Sequence, residues 1–170
     1  AATLERIATA GRDGFYKGET SRLLVAEMAR GGGLITLDDL ARYRARERRP
    51  IHGGFRGYEV ISMPPPSSGG IALVEMLNIL EGYDLAASGS GSATTTHLII
   101  EAMRRAYAAR AQYLGDPAFN QTMPIDRLTS KAHAAELRGT INRERASVSS
   151  PDSFVWPTEG NETTHLSVVD

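Results

Sequence analysis

Met63-Pro64-Pro65-Pro66-Ser67-Ser68-Gly69-Gly70 is the point at which this chain changes from strand to helix. Three successive prolines cannot donate to a ladder, so a strand that reaches Met63 must end there. Ser67 or Ser68 is then a candidate N-cap, because a hydroxyl accepts from the free amides of a first helical turn. Upstream, Tyr43 to Ile51 and Phe55 to Met63 read as two strands, joined as a hairpin at Gly53-Gly54. Downstream, Ile71, Val74, Leu77 and Leu80 recur near helical spacing. They predict a helix over about 70–81 that stops at Gly82.

Further out, the pattern stays mostly helical. Leu4, Ile7 and Ala8 predict a short helix over 3–10, broken by Gly11 and Gly14. Leu24, Val25 and Met28 predict a second over 20–30, stopped by Gly31 to Gly33. Thr36-Leu37-Asp38-Asp39 resembles a capping box with Asp in place of Glu, so a short helix should start at Leu37. Residues 86–93 read as a Gly/Ser/Ala loop. The longest helix should span about 93–113, with Leu98, Ala102, Ala106 and Ala109 as a narrow stripe for close packing. Another short helix fits 128–138, and residues 140–162 turn polar. The fold class is therefore α+β, with helix dominant.

A length of 170 residues suits one domain with a core. Hydrophobic residues make up 41% and charged residues 23%, an ordinary balance for a globular protein. A net charge of -1 with no long basic run argues against a nucleic-acid or anionic-membrane partner. Arg46, Arg48 and Arg49 are interleaved with Glu47 and read as a solvated face. The absence of cysteine excludes disulfides, thiol catalysis and zinc-thiolate sites, and leaves the compartment open. No run reaches the ~18 apolar residues of a membrane helix, and no signal peptide is evident.

The chemistry concentrates at the other end. Thr163-Thr164-His165-Leu166-Ser167-Val168-Val169-Asp170 alternates like a strand and follows a Ser/Pro-rich stretch, Ser147 to Asn161, that reads as an accessible linker. On that string alone, a polar strand edge is the ordinary reading. The placement also suits a self-cleaving nucleophile. A threonine hydroxyl needs a base to take its proton. If the Glu162–Thr163 peptide bond is cut, the new α-amine of Thr163 can be that base, since its ordinary pKa is about 7.7–8.0.

Five stretches resemble the γ-glutamyltranspeptidase family of the N-terminal nucleophile hydrolases. They are Gly14-Phe15-Tyr16-Lys17-Gly18; Gly32-Gly33-Leu34-Ile35-Thr36 with Asp39-Leu40; Arg56-Gly57-Tyr58 leading into Met63 to Gly70; Tyr113-Leu114-Gly115-Asp116-Pro117; and Thr163 to Asp170. Their order agrees with the family, and the proline run and the terminal Thr-Thr-His block are the specific ones. The resemblance implies a helix-rich segment of an αββα fold, incomplete in this chain. Residues 1–162 would be the C-terminal part of a large subunit, ending in the polar linker 140–162, and residues 163–170 the first strand of a small subunit.

The same resemblance implies a precursor that cleaves itself between Glu162 and Thr163. Thr163 then transfers a γ-glutamyl group from glutathione or a related compound to water or to an amino-acid or peptide acceptor. It implies no metal or organic cofactor, a heterodimer of large and small subunits after processing, and a periplasmic or extracellular setting. An Arg for the substrate carboxylate is expected upstream of Ala1, and oxyanion glycines beyond Asp170, so residues 1–170 alone are expected to be inactive. Alternatives are a β-lactam side-chain acylase, a poly-γ-glutamate-cleaving relative, or an inert helical module that packs against the remaining sheets.

Other candidates carry blander readings. The Pro64–Gly70 turn could offer helix amides to an anion, but it lacks the lysine of a P-loop. A structural turn is favoured, with lining of the substrate cleft left open. His97 and Glu101, four apart on a helix, could hold metal, but a surface pair is favoured. His52 and His133 read as isolated and solvated, and His165 as structural. Asp38 and Asp39 suit a helix first turn, and Asp116-Pro117 suits a turn. Arg104, Arg105 and Arg110 form one basic helix face, solvated or bound to other parts of the protein.

Overall fold

The structure, a computed structural model, describes residues 2–149. Length alone suggests one domain, but packing divides the described residues into two compact units that meet in sequence between Glu47 and Arg48.

The first unit is helical. Helices α1 (Ala2–Ala10), α3 (Gly18–Gly31) and α4 (Leu37–Arg42) follow the expected order, and a short α2 (Asp13–Tyr16), not expected, lies between the first two. Gly14 belongs to α2 rather than breaking the chain. A Cβ there would lie 2.1 Å from the Arg6 carbonyl oxygen, so only glycine lets α2 pack this closely on α1. Gly32 ends α3 in the left-handed region at φ 73°. The capping box forms with aspartate: Thr36 Oγ1 accepts from the Asp39 amide at 3.1 Å, and the Thr36 amide donates to Asp39 Oδ2 at 2.9 Å. Arg12 Nη2 donates to the Ala41 and Tyr43 carbonyls at 2.9 and 2.7 Å, and Tyr16 stacks on Tyr43.

The second unit carries the sheet and the long helices. Strands β1 (Ile51–Phe55) and β2 (Tyr58–Ser62) pair antiparallel, Ile51 opposite Ser62 and Phe55 opposite Tyr58. This corrects the expected hairpin: residues 43–50 are not strand, and the turn is Arg56-Gly57 rather than Gly53-Gly54. Gly53 sits inside β1 because a Cβ there would meet both Val74 methyls at 2.7 Å. Arg56 at φ 50° and Gly57 at φ 87° supply the two positive φ angles of a two-residue hairpin turn. The uncommon Arg56 conformation is held by its amide donating to Glu81 Oε1 at 2.6 Å and its guanidinium donating to the Tyr83 carbonyl at 2.8 Å.

The proline run ends β2 as expected, and α5 (Gly69–Leu80) follows. Then come α6 (Leu85–Ser88), which overlaps the start of the 86–93 stretch expected to be a loop, α7 (Ala93–Tyr113), α8 (Ile125–Leu128) and α9 (Lys131–Gly139). Helix α7 has the expected span and is capped by Ser92, whose Oγ accepts from the Thr95 amide. Helix α5 is the hub, packing on the hairpin, α7 and α9. Ile51, Ile71, Val74, Ala109 and Leu128 form one apolar cluster, and Ile79, Ala102 and Ala134 a second. Leu98 and Ala106 complete the buried stripe of α7, as its small-residue spacing predicts.

Candidate functional site

Glu162, Thr163, His165 and the strand expected over 163–170 lie outside the described residues. Within them, the structure shows how the chain that leads toward Thr163 is held, and which polar groups the second unit buries.

The residues that hold it come from one face of α7. The side chain of Glu101 is fully buried, so the favoured surface-pair reading of His97 and Glu101 is corrected. The signal was present in the sequence: Glu101 lies three residues after Leu98 and next to Ala102, on the core stripe. Its carboxylate accepts from the Ser147 amide at 2.9 Å and from the Ser147 hydroxyl. It also accepts from Arg105 Nη1 at 2.8 Å, the i,i+4 partner one turn on.

Arg105, expected to be solvated or bound to other parts of the protein, is only 12% exposed. Its guanidinium also donates to the Thr140 carbonyl and hydroxyl, each at 2.9 Å. His97 does not reach Glu101 either; its Nε2 donates to the Asn142 carbonyl at 2.8 Å. Arg104 reaches the Ser149 hydroxyl. Four side chains of α7 thus hold residues 140–149.

Burial would raise the Glu101 pKa, but the Ser147 hydroxyl and amide and the Arg105 guanidinium outweigh it and hold the carboxyl at about 2. An unfolded chain takes up this proton near the ordinary value of 4.5, whereas the folded one does so near 2. The stabilisation is therefore complete above the ordinary carboxylate range and is lost as pH falls through about 2. Protection of the amides over 140–149, taken relative to their intrinsic exchange rates, is expected to fall selectively across that acid window in wild type. In Glu101→Ala it should be low already at pH 7, since removing one partner of a buried pair typically costs about 3–5 kcal/mol. Equal protection of this segment in both proteins at pH 7 would contradict the assignment.

At the strand-to-helix turn, the two serines divide the expected role: Ser68 takes the N-cap position and Ser67 accepts from a first-turn amide. Ser68 already has helical angles and makes no cap bond. Its hydroxyl instead accepts from Arg110 Nε at 3.0 Å, which ties the turn to α7. Ser67 Oγ accepts from the Gly69 amide at 3.3 Å. Gly70 is the residue the turn requires: a Cβ there would lie 2.1 Å from the Met63 carbonyl oxygen. These contacts support the structural reading of the run.

The other buried acid among the described residues is Glu75 on α5, which no sequence reading had singled out. It falls four residues after Ile71, on the buried face, together with Asn78. Both carboxylate oxygens lack a hydrogen-bond partner among the described residues, and burial pushes the carboxyl up to about 7. It opens on a cleft of about 190 Å³ lined also by Arg105, Gln112, Tyr113, His133 and Leu137. His133 Nε2 stands 3.5 Å from Glu75 Oε1, and the His133 side chain is only 13% exposed. The expectation of an isolated, solvated His133 is thereby corrected. His52 is exposed as expected, but paired with Glu59 at 3.0 Å.

Asp38 and Asp39 lie in the first turn of α4. Asp116 closes a turn by accepting from the Ala118 amide at 2.9 Å. Among the described residues no cluster of three or more His, Cys, Asp or Glu side chains could hold a metal ion, and no helix is long and apolar enough to cross a membrane.

The family profile described as Gamma-glutamyltranspeptidase matches residues 1–170. The chain belongs to the γ-glutamyltranspeptidase family. It is 49% identical over 171 residues to a glutathione hydrolase proenzyme of Pseudomonas sp. (strain A14), covering all of this chain and 30% of that protein. It is 46% identical over 170 residues to the acylase ACY 1 proenzyme of Pseudomonas sp. (strain SE83), again covering all of this chain and 30% of that one. Its fold superimposes on the crystal structure of Helicobacter pylori γ-glutamyltranspeptidase with a TM-score of 0.80 and 43% identity, covering 91% of this chain and 43% of that one. The mixed architecture of helices and a small sheet is thus that of a γ-glutamyltranspeptidase. The chain spans about 30% of the length of these two curated relatives.

Proposed function

We propose that this chain is the part of a γ-glutamyltranspeptidase precursor that carries the processing site, with cleavage between Glu162 and Thr163 and Thr163 as nucleophile. The observation that carries the reading is the match over the whole chain to relatives named as proenzymes. Residues 1–162 belong to the large subunit and residues 163–170 open the small one. The described helices and hairpin form one portion of an αββα architecture whose remainder lies outside this chain.

The chemistry follows from one residue. In processing, Thr163 Oγ attacks the Glu162 carbonyl carbon and the peptide C–N bond breaks. This leaves an ester between Glu162 and Thr163 Oγ and frees the Thr163 amine. Water then hydrolyses the ester, giving the Glu162 carboxylate and a free hydroxyl. In turnover that hydroxyl attacks the γ-amide carbonyl of the donor. The Thr163 amine takes the hydroxyl proton and delivers it to the leaving amine. Water or the amine of an amino acid or peptide resolves the γ-glutamyl ester. No cofactor enters this scheme.

A full-length protein carrying these residues, incubated with γ-glutamyl-p-nitroanilide, is expected to release p-nitroaniline, and an amino-acid acceptor should raise the rate. Release no greater than in buffer would remove the γ-glutamyl reading. The similarity to an acylase, and to the structure of a cephalosporin acylase from Bacillus halodurans, supports a second reading, in which the same nucleophile opens a β-lactam side-chain amide. Turnover of such an amide with none of the γ-glutamyl anilide would favour it. Residues 1–170 by themselves are not expected to turn over either substrate, because donors for the oxyanion are worth about 100- to 1000-fold each. A periplasmic or extracellular setting accompanies the proposal.

A further inference from the structure

We propose that α7 acts as a clamp on the segment that leads to the scissile bond, and that Glu101 is a positioning residue for self-cleavage. The inference rests on the reading of Thr163 given above.

Burying a carboxylate and its guanidinium partner is a poor way to stabilise a fold, since apolar side chains of the same size often do as well. What Glu101 provides is geometry. The Ser147 amide and hydroxyl both donate to its carboxylate, so the position and the orientation of that residue are fixed together. One turn along, Arg105 joins the same carboxylate to the Thr140 carbonyl and hydroxyl. One turn back, His97 holds the Asn142 carbonyl, and Arg104 holds the Ser149 hydroxyl. Side chains at 97, 101, 104 and 105 share one helical face, and all four grip the chain between Thr140 and Ser149.

That stretch continues in sequence toward Glu162. A hydroxyl attacking its own preceding peptide bond must be held close to the attack geometry, and loss of positioning by about 1 Å can cost roughly 100-fold. Fixing the chain at Ser147 shortens, in residues, the tether between a rigid helix and the scissile bond. After cleavage that tether no longer joins Thr163. The clamp should therefore govern processing and leave the mature nucleophile alone, an asymmetry that a merely structural role would not produce.

The test uses the full-length precursor with Ser147→Pro, which removes both donors; Ser147→Ala, which removes the hydroxyl; and Ser147→Thr, which keeps both. Appearance of the cleaved chains is followed by intact mass, and turnover of γ-glutamyl-p-nitroanilide is measured per cleaved molecule. Processing should slow roughly 10- to 100-fold in Ser147→Pro and roughly 5- to 10-fold in Ser147→Ala. It should stay near wild type in Ser147→Thr, with kcat/KM per cleaved molecule unchanged throughout.

Wild-type processing in Ser147→Pro overturns the clamp, as does turnover that falls in step with processing. Where the proline variant does not fold, wild-type processing in Ser147→Ala overturns it. Thr163→Ala separates this failure from that of the parent reading: if it is still cut, the assignment of Thr163 fails, whereas an uncut Thr163→Ala beside a normally cut Ser147→Pro sinks only the clamp.

Discussion

A full-length precursor carrying Thr163→Ala is expected to remain one uncut polypeptide with no measurable turnover of γ-glutamyl-p-nitroanilide. Alanine has no oxygen to attack the Glu162 carbonyl, so neither the ester nor the free amine forms. The loss is double: without cleavage the base is never created, and without the hydroxyl the acyl group has no acceptor. Thr163→Ser should still be cut and still turn over, both more slowly, because the oxygen survives while the methyl that restricts its rotamers is lost. Two chains of the usual sizes from Thr163→Ala would mean that an outside protease does the cutting.

A second large effect is expected at Glu75, with the opposite direction of pH dependence from Glu101. The folded carboxyl keeps its proton up to about pH 7, whereas an unfolded chain releases it near 4.5. Its ionisation therefore costs nothing below the ordinary carboxylate range. It destabilises the folded state increasingly between 4.5 and about 7, and by a constant amount above that. At 1.36 kcal/mol for each pKa unit, the full effect is about 3 kcal/mol. Glu75→Gln keeps the shape and removes the charge. It should be more stable than wild type by about that amount at pH 8, with the advantage gone at pH 4. Paired thermal unfolding of the full-length protein at the two pH values checks this. An offset that does not change with pH would show that His133, whose Nε2 stands 3.5 Å from Glu75 Oε1, offsets the buried charge.

Much of the scaffold was legible because local chemistry decides it. The Thr36–Asp39 box, the left-handed Gly32 that ends α3 and the Leu98–Ala109 stripe each act within a few turns of chain, and each stands where the sequence placed it. The hairpin was misplaced because Gly53-Gly54 looks like a turn. Gly53 is there for Val74, a residue distant in sequence, and the actual turn uses a positive φ at Arg56 that depends on Glu81. Polar residues were misread for a related reason. Glu75, Glu101 and Arg105 sit on apolar stripes, and residue type was given more weight than position. What buries them is the packing of α5, α7 and α9 and, for Glu101, a serine more than forty positions away. The family could be read from the Met63–Gly70 run and the Thr163 block, and of these the structure describes only the first, where Gly70 is required by its approach to Met63.

The claim at the centre of this account is that Thr163 cuts the chain and becomes its new N-terminus. Incubating purified full-length precursor without added protease and measuring the intact masses of the products over time tests it most directly. The account predicts one new pair of masses that together equal the precursor plus one water, with the smaller chain beginning at Thr163. A precursor that stays whole, or a new chain that begins at any other residue, would contradict it.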